Sequence, residues 1–199
     1  MKQLNFAIIG ISNIAPVHAA AIRQVPGARL TAVATRNPER GQAFAAEQGA
    51  EWHADYREVL ARNDVDAVLI ATTPHWHCRM AVDAAEAGKD FYLEKPMSLY
   101  PAETLAIKRA AEKHKRITQI GTQIHATENY HRIVDVVRSG VLGKISLGRT
   151  FHVFNQGRDG IGRATDTKVP AGLDWDMWIG PAPMREFNPL LFKDSAHHP

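Results

Sequence analysis

A single cysteine, Cys78, in 199 residues excludes an internal disulfide framework and directs the chain to a reducing compartment, the cytoplasm. No apolar run approaches the ~20 residues that a membrane span requires. Met1-Lys2-Gln3-Leu4-Asn5 leads straight into a short apolar stretch, without the pattern of a signal peptide, so neither membrane insertion nor export is expected. Charge of one sign is equally scarce: 24 Lys and Arg stand against 21 Asp and Glu, a net charge of +3. The basic residues are scattered rather than gathered into a stripe, which argues against nucleic acid as a partner. His75, His125 and His131 have no spacing that forms a metal site, and no metal is expected. What the chain does have is 45% hydrophobic content. That suffices for one full α/β domain and part of a second, at the usual domain size of about 100 to 200 residues.

The run Asn5 to Gly10, Asn-Phe-Ala-Ile-Ile-Gly, is short and almost wholly apolar, as a parallel strand covered by helices on both faces requires. A loop and a helix follow at once. Pro16 falls in that helix's first turn, where a missing N–H costs nothing, Ala19, Ala20, Ile22 and Val25 supply its apolar face, and Pro26-Gly27 ends it. The alternation continues with a strand over Leu30 to Ala34, helices over Pro38 to Gln48 and Tyr56 to Arg62, and a strand over Ala67 to Ala71. A helix over His77 to Ala87, a strand over Phe91 to Leu93, a helix over Ala102 to Lys115 and a strand over Ile117 to Ile120 complete it. Strands separated by helices mean βαβ units with right-handed crossovers, hence a doubly wound parallel Rossmann sheet in residues 1–121. Residues 122–199 read differently. A helix from about Thr127 to Ser139, a glycine-bounded turn at Gly140 to Gly143 and a strand from about Ile145 to Phe154 open an α+β second domain. The remainder is rich in Gly, Pro, Asp and Trp and has no long periodic segment, so this second domain is expected to be incomplete.

Gly10-Ile11-Ser12-Asn13-Ile14-Ala15 follows a predicted strand and opens a predicted helix, the context in which a G-x-G-x-x-G/A loop binds a dinucleotide. Gly10 allows the tight turn and Ala15 close helix packing, while Ser12, Asn13 and Ile14 lie where backbone N–H groups face a pyrophosphate at a helix N-terminus. Ser12 departs from the pattern by adding a Cβ, with a hydroxyl that can bond an oxygen. At the end of the second predicted strand an NAD-binding domain usually places an acid on the ribose 2′-OH. Here the residues are Thr35 and Arg36, which suit a 2′-phosphate, so NADP is favoured over NAD. A solvated surface role for Arg36 is the alternative.

Three further segments, each at a predicted strand end, are Thr72-Thr73-Pro74-His75-Trp76-His77, Glu94-Lys95-Pro96 and Gly121-Thr122-Gln123. With Gly10 and a following His18, they make the chain resemble the Gfo/Idh/MocA oxidoreductases, which carry a T-P-x-x-x-H segment and an E-K-P triplet in this order. The stretch from Asn129-Tyr130 to Gly143-Lys144 is similar to the first helix and strand of that family's second domain, and Leu173 to Pro183 to a loop of its sugar-active members. The resemblance implies hydride transfer between a nicotinamide and a sugar or polyol carbon, with Lys95 catalytic. It also implies a homo-oligomer formed through the second domain. Cofactor contacts are expected from Gly10, Ser12, Asn13, Ile14, Thr35, Arg36, Thr72, Thr73, Pro74, His77, Glu94, Lys95 and Gln123. An ammonium at a strand's carboxyl end suits binding of the reacting oxygen. Glu94 either meets the nicotinamide ribose or neutralises Lys95, and His77 is expected to cap its helix. Trp175 and Trp178 either stack on a sugar ring or pack an irregular segment.

The family's D-x-x-x-H pair in the second domain is matched in spacing after Gly121 only by Asp194-Ser195-Ala196-His197-His198, a polar stretch to which the role is not transferred. Besides the oxidoreductase, the resemblance therefore leaves two readings open. One is glycoside cleavage assisted by a retained NAD, and the other a dinucleotide-binding fragment or regulator without catalysis.

Overall fold

The computed structural model describes residues 3–151 and 163–192. Among them two compact units form: one takes in the chain up to Gly121 together with Gly180–Ala182, and the other runs from Thr122 to Ile179 and resumes at Pro183.

The first unit is built on six parallel strands in the order β3-β2-β1-β4-β5-β6. The strands are β1 (Leu4–Ile9), β2 (Ala28–Ala34), β3 (Glu51–His53), β4 (Ala67–Ile70), β5 (Asp90–Glu94) and β6 (Thr118–Gly121). They alternate with α1 (Ala15–Gln24), α2 (Pro38–Gln48), α3 (Tyr56–Leu60), α4 (Pro74–Glu86) and α5 (Pro101–Lys113). Side chains on successive strand positions enter opposite layers. Ala7 and Ile9 of β1 join Val68, Ile70, Val59, Ala81, Leu93 and Ile107 beneath α3, α4 and α5. Ile8 joins Val33, Leu69, Ala19, Ile22 and Phe44 beneath α1 and α2. Both faces of the sheet are covered, which is why the central strands read as apolar runs rather than as alternation. The order in which strands are added reverses between β1 and β4, where Ile9 sits level with Ala34 on one side and Ile70 on the other.

Strand β3 was not expected. Glu-Trp-His has no apolar run to announce a strand, and its place at the sheet edge is fixed by long-range bonds instead. Thr35 donates its N–H to the His53 carbonyl at 3.1 Å, and Trp52 Nε1 donates to the Thr35 carbonyl at 2.9 Å. Helix α4 starts at Pro74, three residues before the expected His77, because proline suits the first turn.

Helices α3 and α4 are tied by the Tyr56 hydroxyl, which donates to Asp83 Oδ2 at 2.5 Å, while Arg79 Nε bonds the same carboxylate. Burial, and then the bond to Asp83, push the Tyr56 hydroxyl up to about 12. The folded state therefore holds this proton more tightly than the unfolded chain, whose tyrosines titrate near 10. The stabilisation is complete below about pH 10 and is lost as pH rises towards about 12. In a 295 nm titration of the folded protein, Tyr56 should ionise last, Tyr92 also being raised by its burial and by Glu94, and Tyr56→Phe should remove the step towards about pH 12. A step at about pH 12 that persists in the variant would contradict the assignment.

The second unit contains α6 (Glu128–Arg138), α7 (Trp175–Ile179), a single antiparallel bridge between Thr167 and Phe187, and a 3-10 turn over Pro189–Phe192. None of the residues of α6 is buried, and Ile133, Val136 and Val137 are exposed. The strand expected from Ile145 to Phe154 is corrected: residues 145–151 form no strand, and 152–154 lie outside the described residues. The physical reason is the lack of a pairing strand in the described part of this unit, without which extended backbone gains no ladder bonds. Ile145, Leu147 and Phe151 are exposed accordingly. Among the described residues no helix is long and apolar enough to cross a membrane.

Candidate cofactor crevice and active site

The strand order reverses between β1 and β4, and the turns leaving the carboxyl ends of these strands and their neighbours splay apart there, forming the crevice in which open α/β sheets bind ligands. Gly10 occupies the turn after β1 with φ +93°. A Cβ on it would lie 2.7 Å from the Ala71 carbonyl oxygen and 2.7 Å from Thr72 Cγ2. Glycine is thus required by the turn and by the close approach of the loop after β4. The loop then passes into α1, whose N-cap position is Ile14 and receives no side-chain cap, with Pro16 in the first turn. Helix α4 also starts without a side-chain cap, at Thr73, whereas α2 and α3 are capped by Asn37 and Asp55. Both helix N-termini flanking the reversal are thus without a side-chain cap, as is that of α6, and are open to an anion.

Ser12 supplies the most direct sign of a missing partner. Its Oγ is buried and has no hydrogen-bond partner among the described residues. A buried hydroxyl without a partner is costly, and a phosphate oxygen at this loop would satisfy it. The residues present therefore fit a dinucleotide pyrophosphate. Asn13 and Ile14 are exposed beside it. An open pocket of about 390 Å³ adjoins the loop, lined by Ile11, Ser12, Asn13, Pro16, Arg40 and Phe44 among others. Arg40 was not among the residues expected at the site. Its signal was available in the Arg36 to Arg40 spacing across the start of α2, which brings a second guanidinium to the loop's side of that helix.

Thr35 ends β2 with its backbone N–H and carbonyl both engaged by β3, and Gly41 leaves room for Trp52, since a Cβ there would fall on the indole ring. The turn carrying Arg36 is thereby held from beneath.

On the other side of the reversal, the Thr72 hydroxyl turns inward to Met80 Sδ at 3.4 Å. Thr73 Oγ1 lies 3.4 Å from His75 Nε2, and Pro74 opens α4. The expectation that His77 caps its helix is corrected. A cap must accept from backbone N–H groups, whereas the His77 ring meets two carbonyl oxygens, that of Pro96 at 2.7 Å and that of Thr72 at 3.0 Å. Glu94 does not pair with the Lys95 ammonium, the second of its two expected roles. Its Oε1 contacts His18 Nε2 at 2.8 Å, and its Oε2 accepts the Lys95 backbone N–H at 3.0 Å. His18 in turn packs edge-on to Tyr92, ring centroids 5.2 Å apart. The Lys95 ammonium forms no ion pair among the described residues and is exposed just beyond the end of β5. The Glu94 carboxylate therefore anchors the backbone of Lys95 rather than neutralising its charge.

Gln123 belongs to the second unit and is exposed. In the same unit, Trp175 is buried, stacks on Trp178 at 4.8 Å and meets Phe187 edge-on at 5.2 Å. Its Nε1 donates to the Arg185 carbonyl at 2.8 Å. These indoles pack their own irregular segment. Asp194 and His197 lie outside the described residues.

A parallel sheet in this order, with a glycine turn at its reversal and a buried, unpartnered hydroxyl beside two uncapped helix N-termini, defines a dinucleotide-binding Rossmann domain. Residues 4–122 match the Gfo/Idh/MocA oxidoreductase family, described as an NAD-binding Rossmann fold, and the chain belongs to that family. It is 32% identical over 144 residues to scyllo-inositol 2-dehydrogenase (NAD(+)) of Bacillus subtilis, covering 71% of this chain and 42% of that protein. It is 34% identical over 102 residues to glycosyl hydrolase family 109 protein 1 of a Shewanella species, covering 49% of this chain and 21% of that one. Among solved structures, the WlbA dehydrogenase of Bordetella pertussis in complex with NADH and UDP-GlcNAcA superposes with a TM-score of 0.68 at 25% identity, covering 71% of this chain and 44% of that one. The chain spans about half or less of the length of the curated relatives it matches.

Proposed function

We propose that the chain is the cofactor-binding part of an NAD(P)-dependent oxidoreductase that moves a hydride between nicotinamide and a sugar or polyol carbon. The buried Ser12 hydroxyl, unpartnered in the glycine turn at the strand reversal, is the observation that carries this reading. In it, Gly10 to Ile14 and the open end of α1 hold the pyrophosphate, and Thr35 and Arg36 at the end of β2 hold the adenosine ribose. Arg36, with Arg40 nearby, favours a 2′-phosphate and hence NADP. Thr73, Pro74, His77 and Glu94 shape the nicotinamide side. When bound, the nicotinamide supplies the hydride acceptor or donor. Lys95, exposed just beyond β5 and without an ion pair among the described residues, binds the reacting oxygen of the substrate with an N–H and stabilises the negative charge that develops there. The second unit belongs to the substrate side and to subunit contacts, and the cytoplasm is the expected compartment.

Titration of the purified chain with NADPH and NADH, read by cofactor fluorescence and by the thermal midpoint, tests the reading. A ligand at 100 times its dissociation constant adds about 2.7 kcal/mol of stability. Tighter binding of NADPH, lost in Arg36→Ala, is the expected result. Tighter binding of NADH would overturn the Arg36 assignment alone, and binding of neither by a folded chain would overturn the function.

The likeness to a glycosyl hydrolase family 109 protein favours a second reading, in which a retained NAD assists glycoside cleavage. Cleavage of a glycoside with no net change in cofactor redox state would decide for it, and net NAD(P)H formation from a polyol against it.

A further inference from the structure

His77 is the most deeply buried polar side chain among the described residues, 1% exposed, and both its ring nitrogens face backbone carbonyls of strand-end turns. Carbonyl oxygens only accept, so each contact needs an N–H on the nitrogen facing it. A ring protonated on both nitrogens makes both bonds, and a ring with one proton makes one. The two carbonyls belong to different turns. Thr72 leaves β4 and Pro96 leaves β5, neighbouring strands on one side of the reversal, and in the dinucleotide fold that side takes the nicotinamide half.

Pro96 directly follows Lys95, whose ammonium has no ion pair among the described residues to aim it, so the direction of that side chain depends on its backbone. That backbone is held on both sides. Glu94 Oε2 accepts the Lys95 N–H, and the His77 ring grips the Pro96 carbonyl at 2.7 Å. Glu94 is itself anchored to α1 through His18 at 2.8 Å. The turn bearing the lysine is thus fixed to α1 from one end and to the Thr72 turn from the other.

We propose that His77 is a positioning residue which, by tying the Pro96 carbonyl to the Thr72 turn, sets Lys95 against the nicotinamide half of the cofactor. The inference rests on the cofactor reading above. The His77 ring nitrogens meet backbone carbonyls, so its effect reaches the cofactor through Pro96 and Lys95.

Three variants separate the two bonds. His77→Asn keeps a donor near the Nδ1 position, facing Pro96; His77→Gln keeps one near Nε2, facing Thr72; His77→Leu keeps neither. Dissociation constants are measured for the tighter binding of NADPH and NADH, and for the matching ADP-ribose, which lacks the nicotinamide half. Thermal midpoints are recorded without ligand. The expected result is nicotinamide-cofactor binding weakened about tenfold in His77→Gln and His77→Leu and by about threefold or less in His77→Asn, with ADP-ribose affected less than about twofold throughout. Losses that are equal for both ligands, or that follow the thermal midpoints, would mean a general structural role and overturn the proposal. Unchanged variants of a chain that binds cofactor would also overturn it, while leaving the cofactor reading intact. Failure of the unaltered chain to bind either cofactor would remove both. Should the variants not fold, couplings through the hydrogen bonds from the His77 ring ¹⁵N to the Thr72 and Pro96 carbonyl ¹³C decide on the unaltered chain. Both couplings support the clamp, and absence of the one to Pro96 overturns it.

Discussion

Replacing Gly10 with alanine is expected to destabilise the first unit by about 2–4 kcal/mol and to abolish dinucleotide binding. Two costs combine. At φ +93° an L side chain is strained, and the added Cβ would lie 2.7 Å from both the Ala71 carbonyl oxygen and Thr72 Cγ2. The obstacle is largely backbone, so it does not yield by a rotamer change. The loops after β1 and β4 must move apart, which carries Ser12 and the open end of α1 away from the position they hold beside the uncapped start of α4. A urea denaturation curve gives the first quantity and a titration with NADPH and NADH the second. A loss of stability below about 0.5 kcal/mol would show that the loops are not held in the packing described.

Lys95→Ala should do the reverse, leaving the fold intact while removing the chemistry. The ammonium is exposed and has no ion pair among the described residues, so its loss should leave the thermal midpoint close to its original value and weaken nicotinamide-cofactor binding to the extent expected of His77→Leu, roughly tenfold. On the proposed mechanism, turnover of a polyol or sugar substrate should fall by about 10²–10³-fold, the usual size for one group stabilising charge at the reacting oxygen. Steady-state rates over a panel of polyols with the full-length enzyme give the measurement. The loss should fall on kcat and kcat/KM together if the interaction strengthens in the transition state. Unchanged turnover would remove Lys95 from the active site.

Much of the first unit is legible in the sequence because parallel strands covered on both faces must be apolar throughout. β1, β2, β4 and β5 could be read from such runs, and Pro16 and Pro38 mark helix starts for a steric reason. What failed to show was held by distant partners. β3 is a polar three-residue strand fixed by bonds to Thr35, and the stretch from Ile145 had strand-like composition but no described strand to pair with. The site divides in the same way. The Gly10 turn, the Ser12 departure and the Lys95 position follow from local order. The His18 to Glu94 contact joins residues 76 apart, and the His77 to Pro96 contact spans 19, so neither has a spacing signature. For this reason His77 read as a cap, and Glu94 as a contact of the nicotinamide ribose or a partner of the lysine charge. Once the sheet brings the strand ends together, both are seen to hold backbone.

The central claim is that a nicotinamide dinucleotide lies across the reversal between β1 and β4, touching the turns that leave β1, β2, β4 and β5. Amide hydrogen exchange with and without saturating NADPH or NADH tests it most directly. The expected result is slowed exchange in residues 10–15, 35–37, 72–77 and 94–97, with the edges of α3 and α5 unchanged. Binding that protects other segments, or leaves residues 10–15 as they were, would contradict it.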